Sequence, residues 1–183
     1  MFARLFRRDT QTRSIASALY GAIVAQARNP VLYAKLGVPD TVDGRFEMVV
    51  LHTVVFLDRL HREGETGKAI GQRIFDLHCA DMDRSLRELG IGDLGVPKRM
   101  KKMAEGFYGR AGAYGAAIAA NDEAGLAAAI ARNVFRGAES TTAATALSAY
   151  VLASAKRMAV GPALAEPPAF ADPAAFVRTG VSA

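Results

Sequence analysis

Three features of this chain carry residues whose types and spacing could do chemistry. "GIGDLG", Gly90 to Gly95, fits G-x-G-x-x-G, a pattern whose backbone N–H groups can cradle a pyrophosphate. His78 and Asp81 stand three residues apart, close enough on one helix face to reach a single metal ion. Asp76, Asp81, Asp83 and Glu88 crowd the same stretch, and paired carboxylates can act as general acid and base.

Each of these chemistries needs particular elements around it. A dinucleotide loop follows a strand and opens a helix. Here Leu77, Met82, Leu86 and Leu89 recur at helical spacing before the glycines, and no βαβ unit surrounds them. Gly90 fits the left-handed residue that ends a helix, Gly92-Asp93 fits a turn, and Pro97 fits the first position of the next helix. The motif therefore predicts a helix–loop–helix corner, with no cofactor.

Two ligands do not make a metal site, and neither H-E-x-x-H nor a second cysteine supplies the rest. His52 has Val55 and Phe56 at the positions where further ligands would stand, so it reads as a hydrogen-bonded core residue. Asp83–Arg87 and Arg84–Glu88 are spaced as ion pairs on a helix face, with Asp81 and Glu88 nearer the core. No nucleophile or second catalytic group accompanies them. The expectation is a protein without metal, cofactor or catalytic site, and not an enzyme.

The elements read as all-α. The chain has 183 residues, enough for one domain. We expect a basic N-terminal segment over 1–10, a helical domain over 11–160 and a disordered Pro/Ala-rich tail over 161–183, which holds four of the seven prolines. A bundle of about six to seven helices follows from the periodicity. The helices are expected over about Gln11–Arg28, in "VLYAKL", over Asp40–Gly64, Gly67–Leu89 and Val96–Ala120, from a cap at Asn121, and from Ser140 to Val160. The run Val49, Val50, Thr53, Val54, Val55 is β-branched, yet the apolar pattern outlasts a strand. Being apolar nearly all round, that helix should be central. "MFARLFRR" followed by "IASALYGAIVA" has the outline of a signal peptide, but Ser17, Tyr20 and Gly21 break its apolar run, and a first core helix is the expected reading.

The formal net charge is +5, which permits an acidic partner without requiring one. A single cysteine, Cys79, excludes an internal disulfide and suits a reducing, cytoplasmic setting. Lys98, Arg99, Lys101 and Lys102 open a helix, where cations oppose the macrodipole. Local stability does not explain them, and they read either as a solvated face or as a docking patch for an anionic partner. In "GFYGRAGAYG", Gly106, Gly109, Gly112 and Gly115 suggest close approach of another backbone.

The segments "GVPDTVDGRFEM", "DMDRSLRELGIGDL" and "MAEGFYGR", within about Leu19–Phe135, resemble the ubiquinol–cytochrome c chaperone family. These are bacterial relatives of the mitochondrial assembly factor for cytochrome b. The resemblance implies an all-helical, non-catalytic chaperone that binds newly made cytochrome b and supports assembly of the bc1 complex. It implies action near the ribosome and peripherally at the inner membrane, with no DNA partner. The implied partner-binding residues are Lys98, Arg99, Lys101 and Lys102 at the basic corner, then Arg45, Glu47, Tyr108 and Arg110, with Asp81, Asp83 and Glu88 on the carboxylate helix. The alternatives are a basic ribosome- or RNA-binding adaptor and a small-ligand enzyme built on the carboxylate helix.

Overall fold

The helix α3, Val42–Leu60, lies at the centre, with most of the other long helices packed against it. Thr41 starts it by accepting a hydrogen bond from the Gly44 N–H at 3.1 Å. Gly44 is needed there, since a Cβ would strike the Pro39 carbonyl. Met48 to Phe56 are buried without a break, including the whole β-branched run. Burial on every face outweighs the weak helix propensity of valine, as the length of the pattern predicted.

The structure is a computed structural model that describes residues 2–137, 141–160 and 168–177, with the side chains of residues 2–9 and 141 outside that description. Among the described residues there are seven α-helices and no strand. Helix α1, Phe2–Ala27, lays Ala16, Leu19, Tyr20, Ile23 and Ala27 against α3 and the next long helix. The expected start at Gln11 was too late, because helix continues unbroken back through the basic segment. The "IASALYGAIVA" run is thus a core-packing face.

Asn29 caps the short α2, Pro30–Ala34, through a 3.0 Å bond from the Val31 N–H. After α3, a 3-10 turn at His61–Glu63 leads through Gly64, φ +64°, into α4, Gly64–Glu88. Gly67 lets α4 pass over the Leu60 carbonyl, where a Cβ would not fit. Helix α5, Val96–Ala120, runs to Asn121, whose left-handed backbone closes it. Asp122, rather than the expected Asn121, caps α6, Glu123–Asn133, by accepting from Gly125 at 2.9 Å. Helix α7, Thr141–Met158, packs on α6 and α3.

The tail departs from the expected disorder over its described part. Residues 168–177 lie against the helices, with Ala171 and Pro173 buried and a 3-10 turn at Pro173–Phe176. The Ala171 N–H donates to Ser154 Oγ at 3.1 Å, and Phe170 meets the His52 ring at 5.0 Å. The remainder of the expected disordered tail lies outside the described residues. No helix among the described residues is long and apolar enough to cross a membrane.

Candidate functional site

"GIGDLG" forms the corner between α4 and α5. Gly90 has φ +80°, its N–H donates to the Arg87 carbonyl at 2.9 Å, and the Ile91 N–H reaches the Leu86 carbonyl at 3.1 Å. That pair of bonds is a Schellman cap, so the first glycine ends a helix. Gly95 then accepts the role of N-cap, and Pro97 sits in the first turn of α5, one place later than expected. The corner's exposed surface carries Lys98, Arg99, Lys101 and Lys102, with Lys101 4.0 Å from Glu105.

The other expected site residues do not converge. Arg45 pairs with Asp40 at 2.6 Å and stands 5.9 Å over the Tyr33 ring, at the junction of α2 and α3. Glu47 and Arg110 pair with each other between α3 and α5, and are largely buried. Desolvation raises the Glu47 carboxyl above its usual range against the pull of Arg110. On α4, Asp83 pairs with Arg87 at 2.7 Å, as its spacing predicted. Arg84 instead takes Asp81 at 2.6 Å rather than Glu88, which lies exposed. Asp81 also accepts from the Tyr20 hydroxyl at 3.2 Å, which ties α1 to α4. Among the described residues no three of His, Cys, Asp and Glu are placed to hold a metal ion.

The histidines are interior groups. His52 Nδ1 donates to the Met48 carbonyl at 2.7 Å, and its Nε2 accepts from the Tyr150 hydroxyl at 2.7 Å. Gln26 in turn donates to the Tyr150 oxygen at 3.0 Å. His78 is buried among Tyr20, Phe46 and Phe107, and its Nδ1 has no hydrogen-bond partner among the described residues. Desolvation lowers both imidazoles to about 4, so both are neutral at pH 7.

What sequence reasoning missed is a groove of about 380 Å³ between α3, α4 and α5. Leu57 and Phe75 line it with Phe107, Tyr108, Ala111 and Gly115, and Asp58, Lys68 and Gln72 are among its polar residues. Phe75 lies 5.1 Å from the Phe107 ring and 5.4 Å from the Tyr108 ring. Tyr108 is 63% exposed, an unusual place for a large aromatic side chain. Gly115 leaves open space where a side chain would otherwise stand. The arrangement suits an apolar guest: an aromatic wall, small residues beside it and few charges. Of the residues expected at a site, Tyr108 alone lines this groove.

A family model described as ubiquinol-cytochrome C chaperone matches residues 34–163. The chain belongs to the ubiquinol–cytochrome c chaperone family. The matched span takes in α3 to α7, and so both the groove and the basic corner. The crystal structure of the Cbp3 homolog from Brucella abortus is similar throughout, with 44% identity and a TM-score of 0.85 over 95% of this chain and 98% of that one. Among curated proteins, ubiquinol-cytochrome c reductase complex assembly factor 1 of Mus musculus is 29% identical over 120 residues, 66% of this chain and 40% of that protein. The Xenopus laevis counterpart is 29% identical over 119 residues, 65% of this chain and 59% of that protein. This family member thus spans about two fifths of the mouse relative and under two thirds of the frog one.

Proposed function

We propose that this protein binds newly made cytochrome b and supports assembly of the bc1 complex, without catalysing a reaction, at the inner-membrane surface. The observation that carries this reading is the aromatic-walled groove between α3, α4 and α5, in a chain of this chaperone family. A nascent membrane protein exposes apolar side chains that water drives into any complementary surface. Phe75, Phe107 and Tyr108 offer such a surface, and small residues beside them leave room for a bulky guest. The described carboxylates Asp81 and Asp83 are engaged by arginines, which favours a holding role over acid–base chemistry.

The test uses Gly115→Leu. The position is helical and open, so leucine fits the fold and fills the groove. The helix should gain about 0.5–1 kcal/mol from losing a glycine. The variant should melt no lower than wild type, yet recover at least tenfold less newly synthesised cytochrome b when tagged protein is isolated from its own membranes. Undiminished recovery would remove the groove from the account.

A further inference from the structure

Two of the five large apolar residues standing most exposed among the described residues lie in the α4–α5 corner: Leu89 at 59% and Leu94 at 98%. Exposed leucine at a loop tip has a hydrophobic cost that folding does not relieve. The tip is not a loose loop. The Schellman cap at Gly90, the Gly95 N–H to Gly92 carbonyl bond at 2.8 Å and an ion pair between Arg87 and Asp93 fix its course. Leu94 is therefore held out into solvent by a built turn. Directly after it come Lys98, Arg99, Lys101 and Lys102, all exposed, and Asp93 is the only acid in residues 89–102.

We infer that this corner docks on an anionic lipid bilayer, with Leu94 and Leu89 entering the headgroup–acyl boundary and the four cations resting on lipid phosphates. The inference rests on the membrane-surface reading above and gives it a surface. Charge alone would serve RNA equally, but single-stranded RNA is gripped by aromatic stacking, and residues 89–102 hold no aromatic side chain. An aliphatic tip beside cations is the combination that a bilayer interface rewards on both counts. Each cation near such a surface strengthens association about fivefold, and salt screens that part. The leucine part persists in salt.

Flotation of the full chain with vesicles of phosphatidylcholine containing about a third phosphatidylglycerol tests this. Wild type should float with these vesicles and far less with pure phosphatidylcholine, which keeps only the leucine part. Reversing Lys98, Lys101 and Lys102 to Glu should weaken binding at least about 100-fold, since three cations are lost and three anions gained. Leu94→Asn should weaken it about tenfold and remove most of the binding that survives high salt. Circular dichroism melts should show neither variant less stable than wild type, since every changed side chain is exposed and acids at the start of α5 suit the helix dipole. Equal flotation with neutral vesicles, or wild-type flotation by either variant, would overturn the inference. So would tighter binding to a single-stranded RNA that Leu94→Asn leaves unchanged. Capture of cytochrome b in detergent separates the two readings: a chain that captures its client but ignores anionic vesicles contradicts the corner alone, and one that floats but captures nothing contradicts the chaperone reading alone.

Discussion

At the scale of single residues, His52 and His78 are both turned inward. His52 was legible as a hydrogen-bonded core group because its helical neighbours are apolar, and its bonds to Met48 and Tyr150 are of that kind. The Asp81–Arg84 pair and the Glu47–Arg110 pair were not legible, since which charges meet depends on rotamers and on how two helices face each other. His78 is the more consequential histidine. It sits in an aromatic cage with Nδ1 unpartnered among the described residues, a place that phenylalanine would fill without stranding a polar atom. Its folded pKa of about 4 lies below the ordinary histidine value of 6.5, so the folded state binds fewer protons than the unfolded one. Stability is then full above about pH 6.5 and falls as pH drops toward 4, by up to about 1.4 kcal/mol per pH unit for each such histidine. Urea titrations of wild type should show that loss between pH 7 and 4.5. His78→Phe should be at least as stable at pH 7 and should lose roughly half the acid sensitivity, His52 carrying the rest. An unchanged acid slope would mean that His78 is not titrated on unfolding.

At the scale of elements, helix ends and apolar faces were readable and glycine roles were readable in part. The corner at Gly90 follows from local rules, because a left-handed residue after an apolar stripe ends a helix wherever it occurs. Gly90→Ala should cost about 1 kcal/mol in a thermal or urea melt, and an unchanged midpoint would contradict the cap. The α5 glycines turned out otherwise. Close backbone approach was expected at all four, yet a Cβ at Gly109, Gly112 or Gly115 would meet nothing within 4 Å. At Gly106 it would meet only the Arg110 guanidinium, which lies over that turn to reach Glu47. Sequence spacing reveals that a helix face is small but not whether another element covers it. Gly109→Ala and Gly112→Ala should each stabilise the protein by about 0.5–1 kcal/mol, and destabilisation at either would show a contact that the fold lacks.

At the scale of the whole molecule, the all-α class and the central place of α3 were open to reading because length and apolar period decide them. The groove was not, since α3, α4 and α5 bring Leu57, Phe75 and Tyr108 together from separate parts of the chain. The docked segment 168–177 was missed for a related reason: proline-rich composition argues against regular structure but says nothing of packing, and Phe170 and Ala171 pack on α3 and α7. The central claim is that this chain holds cytochrome b during bc1 assembly. Its most direct test is the steady-state level of cytochrome b in a strain lacking the gene, measured beside the other respiratory enzymes. Cytochrome b and bc1 activity should fall together while the other enzymes persist, and wild-type protein should restore both where Gly115→Leu does not. Normal cytochrome b and bc1 activity in the deletion strain would contradict it.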